Sequence, residues 1–295
     1  MAQTEDPIRG ITLSVGATVI FAAADATAKY LSMSLPIIEI AWIRYVIFLG
    51  LAACLARQTP WRVLRPRNPK LQLLRGVCVT GSSVLFVYGV RQMPMAEAAS
   101  ISFLSPLLIT ILSIPLLGEV VGIRRWAAVL AGMLGVLVVV RPGSGGFQPA
   151  AFWGVASAFC WATALIITRR ISSTDEPRTT ILCSAGIGVC GLSVLLPFEA
   201  MWPSPWQWGL ALLLGVLSSC GQWMVVLAHR HAAASLLAPF SYSQLIWATA
   251  AGYVVFGNFP DRWTLFGAAI IIASGLYTAH RERVRARDRA RSRTE

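Results

Sequence analysis

Apolar runs of about 17 to 25 residues recur along the whole sequence with only short polar interruptions, each long enough to cross roughly 30 Å of hydrocarbon as a helix. That recurrence excludes most folds. Inside a bilayer every backbone N–H and C=O must be satisfied by the protein itself, which leaves helices and closed barrels, and barrel strands would show a period of two that these runs lack. The sequence therefore predicts an all-α membrane protein with ten transmembrane helices, over residues 9–32, 36–57, 71–92, 96–117, 124–141, 150–170, 178–198, 207–229, 233–257 and 262–280. Only 13% of the residues are charged, so no stretch remains for a soluble domain.

The first run has an A-x-A look at Ala24-Asp25-Ala26, but only Arg9 precedes it as a basic residue and the run continues past that point, so it reads as a span rather than a cleaved leader. All six cysteines fall inside predicted spans at no metal-ligand spacing and read as small apolar packers.

A net charge of +12 invites a nucleic-acid reading, which the distribution of the charge argues against. With the N-terminus in the cytoplasm, all of the 25 basic residues except Lys29, Arg44, Arg91, Arg141 and Arg262 fall on the cytoplasmic side. Arg57, Arg62, Arg65, Arg67, Lys70 and Arg75 form one such cluster, and the arginines from Arg281 to Arg293 form another. The positive-inside rule thus places both termini in the cytoplasm, with a basic tail over 281–295 suited to anionic lipid. Seven tryptophans, including Trp153 and Trp263, sit near span ends as interfacial anchors, whereas Trp42, Trp161, Trp223 and Trp247 lie deeper.

The chain also looks duplicated. A shift of 140 lays "FAAADATAKYLS" (21–32) over "WATALIITRRIS" (161–172) and Gly135 over Gly275, and "RRWAAVLAGMLGVLVVV" and "DRWTLFGAAIIIASGLY" close the two halves alike. Each half, 9–141 and 150–280, then holds five spans, and because five is odd the copies are inverted. Inverted repeats around a midplane cavity are a recurrent transporter design.

Charges inside the first hairpin mark the candidate site. Counting at 1.5 Å per residue, Asp25 and Arg44 lie about 10 and 12 Å below the surface at the hairpin turn, while Lys29 and Glu39 lie about 4 to 5 Å down. Equal depths suggest two cross-helix ion pairs, Asp25–Arg44 and Lys29–Glu39, although Glu39 and Arg44 point about 140° apart on their helix. An unpaired charge at a span centre costs roughly 2.5 to 3.5 kcal/mol, so these groups should face the bundle interior. Two readings fit: staples between helices, or a cavity in which Asp25, Arg44 and Glu39 bind a polar substrate or a proton. The corresponding part of the second half, around Ala164, Thr180 and Ser184, has no charge at the positions of Asp25, Glu39 and Arg44.

Pro106 and Pro239 are expected to break their helices and free carbonyls. Nearby Ser105, Tyr242, Ser243 and Gln244 offer polar contacts, and Trp42, Trp161 and Tyr242 offer apolar surfaces for a substrate. Gly186, Gly188 and Gly191 are expected to permit close helix contact. Without an H-E-x-x-H, a G-x-S-x-G or a His and carboxylate cluster, the sequence indicates no enzyme, no metal and no cofactor.

The stretches "LSPLLITILSIPLLGEVVGIRRWAAVLAGMLGVLVVVRPG" (104–143) and "APFSYSQLIWATAAGYVVFGNFPDRWTLFGAAIIIASGLY" (238–277), with "DATAKYLS" followed by "EIAWIRY", resemble the EamA domains of the drug/metabolite transporter superfamily. The resemblance implies ten helices in two inverted five-helix EamA repeats and movement of small metabolites through the bacterial inner membrane. The family's Gly-Glu pair is present at Gly118-Glu119, but its second copy reads Gly257-Asn258. The expectation is a secondary exporter of a small polar or zwitterionic metabolite, such as an amino-acid derivative or an opine-type metallophore, with protons as a candidate coupling ion and a homodimer as a candidate assembly. Import of a vitamin or cofactor such as riboflavin or S-adenosylmethionine, and passive facilitation through a channel, remain as alternatives.

Overall fold

The computed structural model describes residues 7–56, 65–117, 123–141, 149–171, 174–231, 237 and 240–291. Pro239, Gly118 and Glu119 lie outside the described residues. Among the described residues every regular element is helical: α1 (Pro7–Ser32), α2 (Ile37–Ala56), α3 (Pro69–Gln92), α4 (Met95–Ser102), α5 (Ser105–Leu117), α6 (Ile123–Val140), α7 (Ala151–Ile171), α8 (Pro177–Leu195), α9 (Pro205–His231), α10 (Ser243–Phe256) and α11 (Arg262–Arg291). Among the described residues, seven apolar spans of at least 18 residues are long enough to cross a membrane, one of them running through α4 and α5, and Trp126–Val140, Ser243–Phe256 and Arg262–Tyr277 are shorter apolar helices.

Local chemistry sets the boundaries. Helices α3 and α8 start on Pro69 and Pro177, where a missing N–H costs nothing because the first helical donors have no intrahelical partner. Helix α10 stops at Gly257, whose φ of 69° is a left-handed conformation open to glycine, and its N–H caps the Tyr253 carbonyl at 2.9 Å. This is a local reason for Gly257 that needs no acidic neighbour. Helix α6 ends in the same way on Arg141, φ 49°.

The span at 96–117 is interrupted at Phe103 and Leu104, and Pro106 is the second residue of the helix that resumes. Proline cannot donate to the carbonyl four residues back, but that carbonyl, on Ser102, accepts the Ser105 hydroxyl at 2.6 Å. The break therefore closes on itself rather than leaving a free carbonyl. A second interruption falls at Tyr242, just before α10.

Packing joins distant parts of the chain. Helix α1 lies along α9 and touches α10, α3 lies along α7 and touches α8, α2 contacts α8 and α9, and α5 contacts α7. Helices α6 and α11 pair so closely that a Cβ on Gly135 would meet the Gly267 carbonyl oxygen at 2.9 Å, and one on Gly267 would meet that of Gly135 at 2.6 Å. Apolar clusters fill the seams, one of them built on Val90, Ile101, Leu107, Val129 and Ile271, another on Ala24, Ala28, Leu31, Ile40 and Leu214. The glycines of α8 behave differently from expectation. Only Gly188 is pressed, against the Tyr45 ring, while a Cβ on Gly186 or Gly191 would meet nothing within 4 Å.

Candidate functional site

Helix α1 carries Asp25 and Lys29 one turn apart, and α2 carries Glu39, Trp42 and Arg44. Asp25 is half-buried, and its Oδ2 accepts a hydrogen bond from Gln244 Nε2 on α10 at 3.4 Å. Arg44 is close enough to act on it electrostatically, yet no direct ion pair joins them, and the guanidinium carbon lies 5.7 Å from the centroid of the neighbouring Tyr45 ring. The site thus holds a carboxylate and a guanidinium near one another with an amide on the acid and neither charge cancelled by contact.

Lys29 and Glu39 do not pair. Lys29, 4% exposed, donates to the Met93 carbonyl at 2.6 Å, sits 5.0 Å from the centroid of Phe256 and feels the charge of Glu97. Glu39, 6% exposed, accepts the Met201 N–H at 3.1 Å. Each charge near the hairpin turn is therefore tied to a connection that arrives from elsewhere in the chain, the one between α3 and α4 or the one between α8 and α9. Together with the Gln207 Nε2 bond to Ser34 Oγ at 3.0 Å, these contacts draw one end of the bundle together. At that end Arg141 and Asp261 form an ion pair at 2.5 Å, and Glu97 interacts with both.

The aromatic candidates separate. Trp42 donates from Nε1 to Ser193 Oγ at 2.8 Å and packs between two apolar clusters. Tyr242, 8% exposed, stacks on Phe103 with centroids 4.8 Å apart, so the residues at the two helix interruptions meet, and its hydroxyl lies over Gly275. Trp161 is 37% exposed. Next to Gln244, Ser243 shares a hydrogen bond of 2.8 Å with Thr18 on α1. No group of three or more His, Cys, Asp or Glu able to hold a metal occurs among the described residues.

A second polar cluster, which the sequence reading missed, lies toward the end of the bundle where α3 begins. Asp175 accepts the Arg67 N–H at 2.9 Å and Gln72 Nε2 at 2.8 Å, and Gln72 also donates to Thr180 Oγ1 at 3.0 Å. Arg75, one turn further along α3, is part-buried against Thr168 and Ser184. The spacing of Gln72 and Arg75, three apart and so on one helix face, was the available signal, but an arginine near a span end reads first as a cytoplasmic surface charge.

The family model described as the EamA-like transporter family matches residues 8–141 and 148–278. The chain is similar to the riboflavin transporter of Vibrio cholerae, 29% identical over 286 residues that cover 93% of this chain and 94% of that one. It is also similar to the S-adenosylmethionine uptake transporter of Rickettsia bellii, 28% identical over 290 residues, 94% of this chain and 97% of that one. The pseudopaline exporter CntI of Pseudomonas aeruginosa is 27% identical over 267 residues, 90% of this chain and 94% of its own. A solved crystal structure shares the fold with a TM-score of 0.62 at 22% identity, over 92% of this chain and 95% of its own.

Proposed function

Because the chain belongs to the EamA-like transporter family and is a multi-pass membrane transporter rather than an enzyme, we propose that it is a secondary exporter of a small polar or zwitterionic metabolite, such as an amino-acid derivative or an opine-type metallophore. The observation that carries the reading is Asp25 and Arg44 held near each other within the bundle without an ion pair between them. Arg44 would take a substrate carboxylate, and Asp25, with Gln244 on it, an amine or the coupling proton. Glu39, bound to the Met201 N–H, belongs with the closure of the hairpin end. Transport by vesicles carrying Asp25→Asn or Arg44→Gln is expected to fall about tenfold or more while the protein still inserts normally, the loss of one charged hydrogen-bond partner being worth that much. Unchanged transport in both variants overturns the reading.

Alternating access between two inverted five-helix units, 9–141 and 150–280, in the bacterial inner membrane completes the proposal. Reciprocal packing supports it: α1 on α9 is matched by α3 on α7, α2 on α9 by α3 on α8, and α1 on α10 by α5 on α7, while α2 with α8 and α6 with α11 pair across the exchange.

Import of a vitamin or cofactor is the second reading, favoured by the names of the riboflavin and S-adenosylmethionine relatives. Accumulation of labelled candidates in inside-out against right-side-out vesicles separates the two directions, and loss of transport on collapsing a proton gradient separates a coupled carrier from a passive facilitator.

A further inference from the structure

Arg75 is turned into the bundle, and its surroundings are neutral. Its Nε donates to Thr168 Oγ1 at 2.7 Å and its Nη1 to the Thr180 carbonyl at 3.3 Å and to Ser184 Oγ. Its Nη2 has no hydrogen-bond partner among the described residues, and no carboxylate oxygen among them lies within the 4.0 Å of an ion pair. The carboxylate of the same cluster, Asp175, is occupied by Gln72 and the Arg67 N–H. Gln72 is 1% exposed, and its Oε1 is buried without a partner. The cluster is thus one donor and one acceptor short, and the guanidinium of Arg75 is not in contact with its one carboxylate.

We propose that Arg75 is a second oxyanion site on the path through the protein, taking the carboxylate or phosphate of a cargo before it passes to Arg44. With Nε and Nη1 engaged, the N–H groups of Nη2 are the ones open to donate charge-assisted hydrogen bonds to either oxyanion. Position supports the relay. Arg44 lies about 10 Å along α2 from its start at the hairpin end, and Arg75 about 9 Å along α3 from its start at the opposite end, so the two cations flank the middle of the bundle from either side. Tyr45 stands beside Arg44 and also interacts with Arg75. The route rests on the transport reading above, but the binding chemistry at Arg75 does not.

The test is thermal unfolding of the full chain in lipid nanodiscs with low-millimolar inorganic phosphate or acetate, against chloride at equal ionic strength. In an Arg44→Gln background, which removes the other cation, a saturable rise in melting temperature is expected for at least one of the two anions. Adding Arg75→Lys should weaken half-saturation by roughly threefold or more, because a lysine keeps the charge and loses the bonds to Thr168, Thr180 and Ser184 that aim Nη2. Adding Arg75→Gln should abolish the rise. A rise that Arg75→Lys leaves unchanged, or no rise for either anion in the Arg44→Gln protein, overturns the proposal. Phosphate acting where acetate does not, or the reverse, supports the site and tells which oxyanion it prefers. None of these readings depends on transport, so failure of the Asp25 and Arg44 transport test leaves them standing.

Discussion

At the scale of single residues, a charge in this protein is set by the particular partners it touches. Asp261, outside the apolar spans, shows the balance. Burial pushes its carboxyl up, but the Thr264 N–H at 2.8 Å and the Arg141 ion pair outweigh it and hold the group below its ordinary value of 3.8. A carboxyl depressed on folding contributes stability above its unfolded value and loses it as the pH falls through the folded value. The difference in thermal stability between the wild type and Asp261→Asn should therefore be constant from pH 7 to about 4 and shrink below the ordinary value. With the Asp261 side chain 43% exposed, that difference should not exceed about 1 kcal/mol. Arg141, which holds a left-handed backbone at the end of α6, makes this ion pair with its side chain.

Between elements, close approach is decided by which face a small residue happens to present. Gly135 and Gly267 put the α6 and α11 backbones together, so Gly135→Val has to push against backbone oxygen and the Ile271 side chain and should cost about 1–3 kcal/mol in thermal unfolding. Gly186→Val on α8, where a Cβ meets nothing within 4 Å, should stay within about 0.5 kcal/mol. The repeat singled out Gly135 and Gly275 as equivalents, yet Gly275 serves a different neighbour, the hydroxyl of Tyr242. Pro106 was legible as a break because proline removes a donor wherever it sits, while the hydroxyl of Ser105 that satisfies the orphaned carbonyl became visible only with coordinates.

For the whole molecule, the orientation proposed from the arginine distribution is the property to test. A reporter active only in the cytoplasm, fused after Glu295 or before Met1, should be active at both termini, and a periplasmic reporter at neither. The reverse pattern would invert every assignment of an inner or outer end. If the two halves rock against one another, the ties of Glu39 to Met201 and Ser34 to Gln207 at one end, and of Asp175 to Gln72 and Arg67 at the other, are the contacts that must exchange.

Depth in the bilayer was readable from the chain, because rise per residue is fixed by the helix and apolar length is fixed by the hydrocarbon. On that basis the sequence determined a helical membrane protein, and it put Asp25 near Arg44. Partnership was decided by tertiary structure alone. Lys29 and Glu39 share a depth but bond to Met93 and Met201, and Arg75 looked like a surface charge until α7 and α8 closed over it. A side chain's azimuth matters only relative to segments far away in the chain, and a strong backbone carbonyl or N–H delivered by such a connection outcompetes a charge that merely sits at the same height.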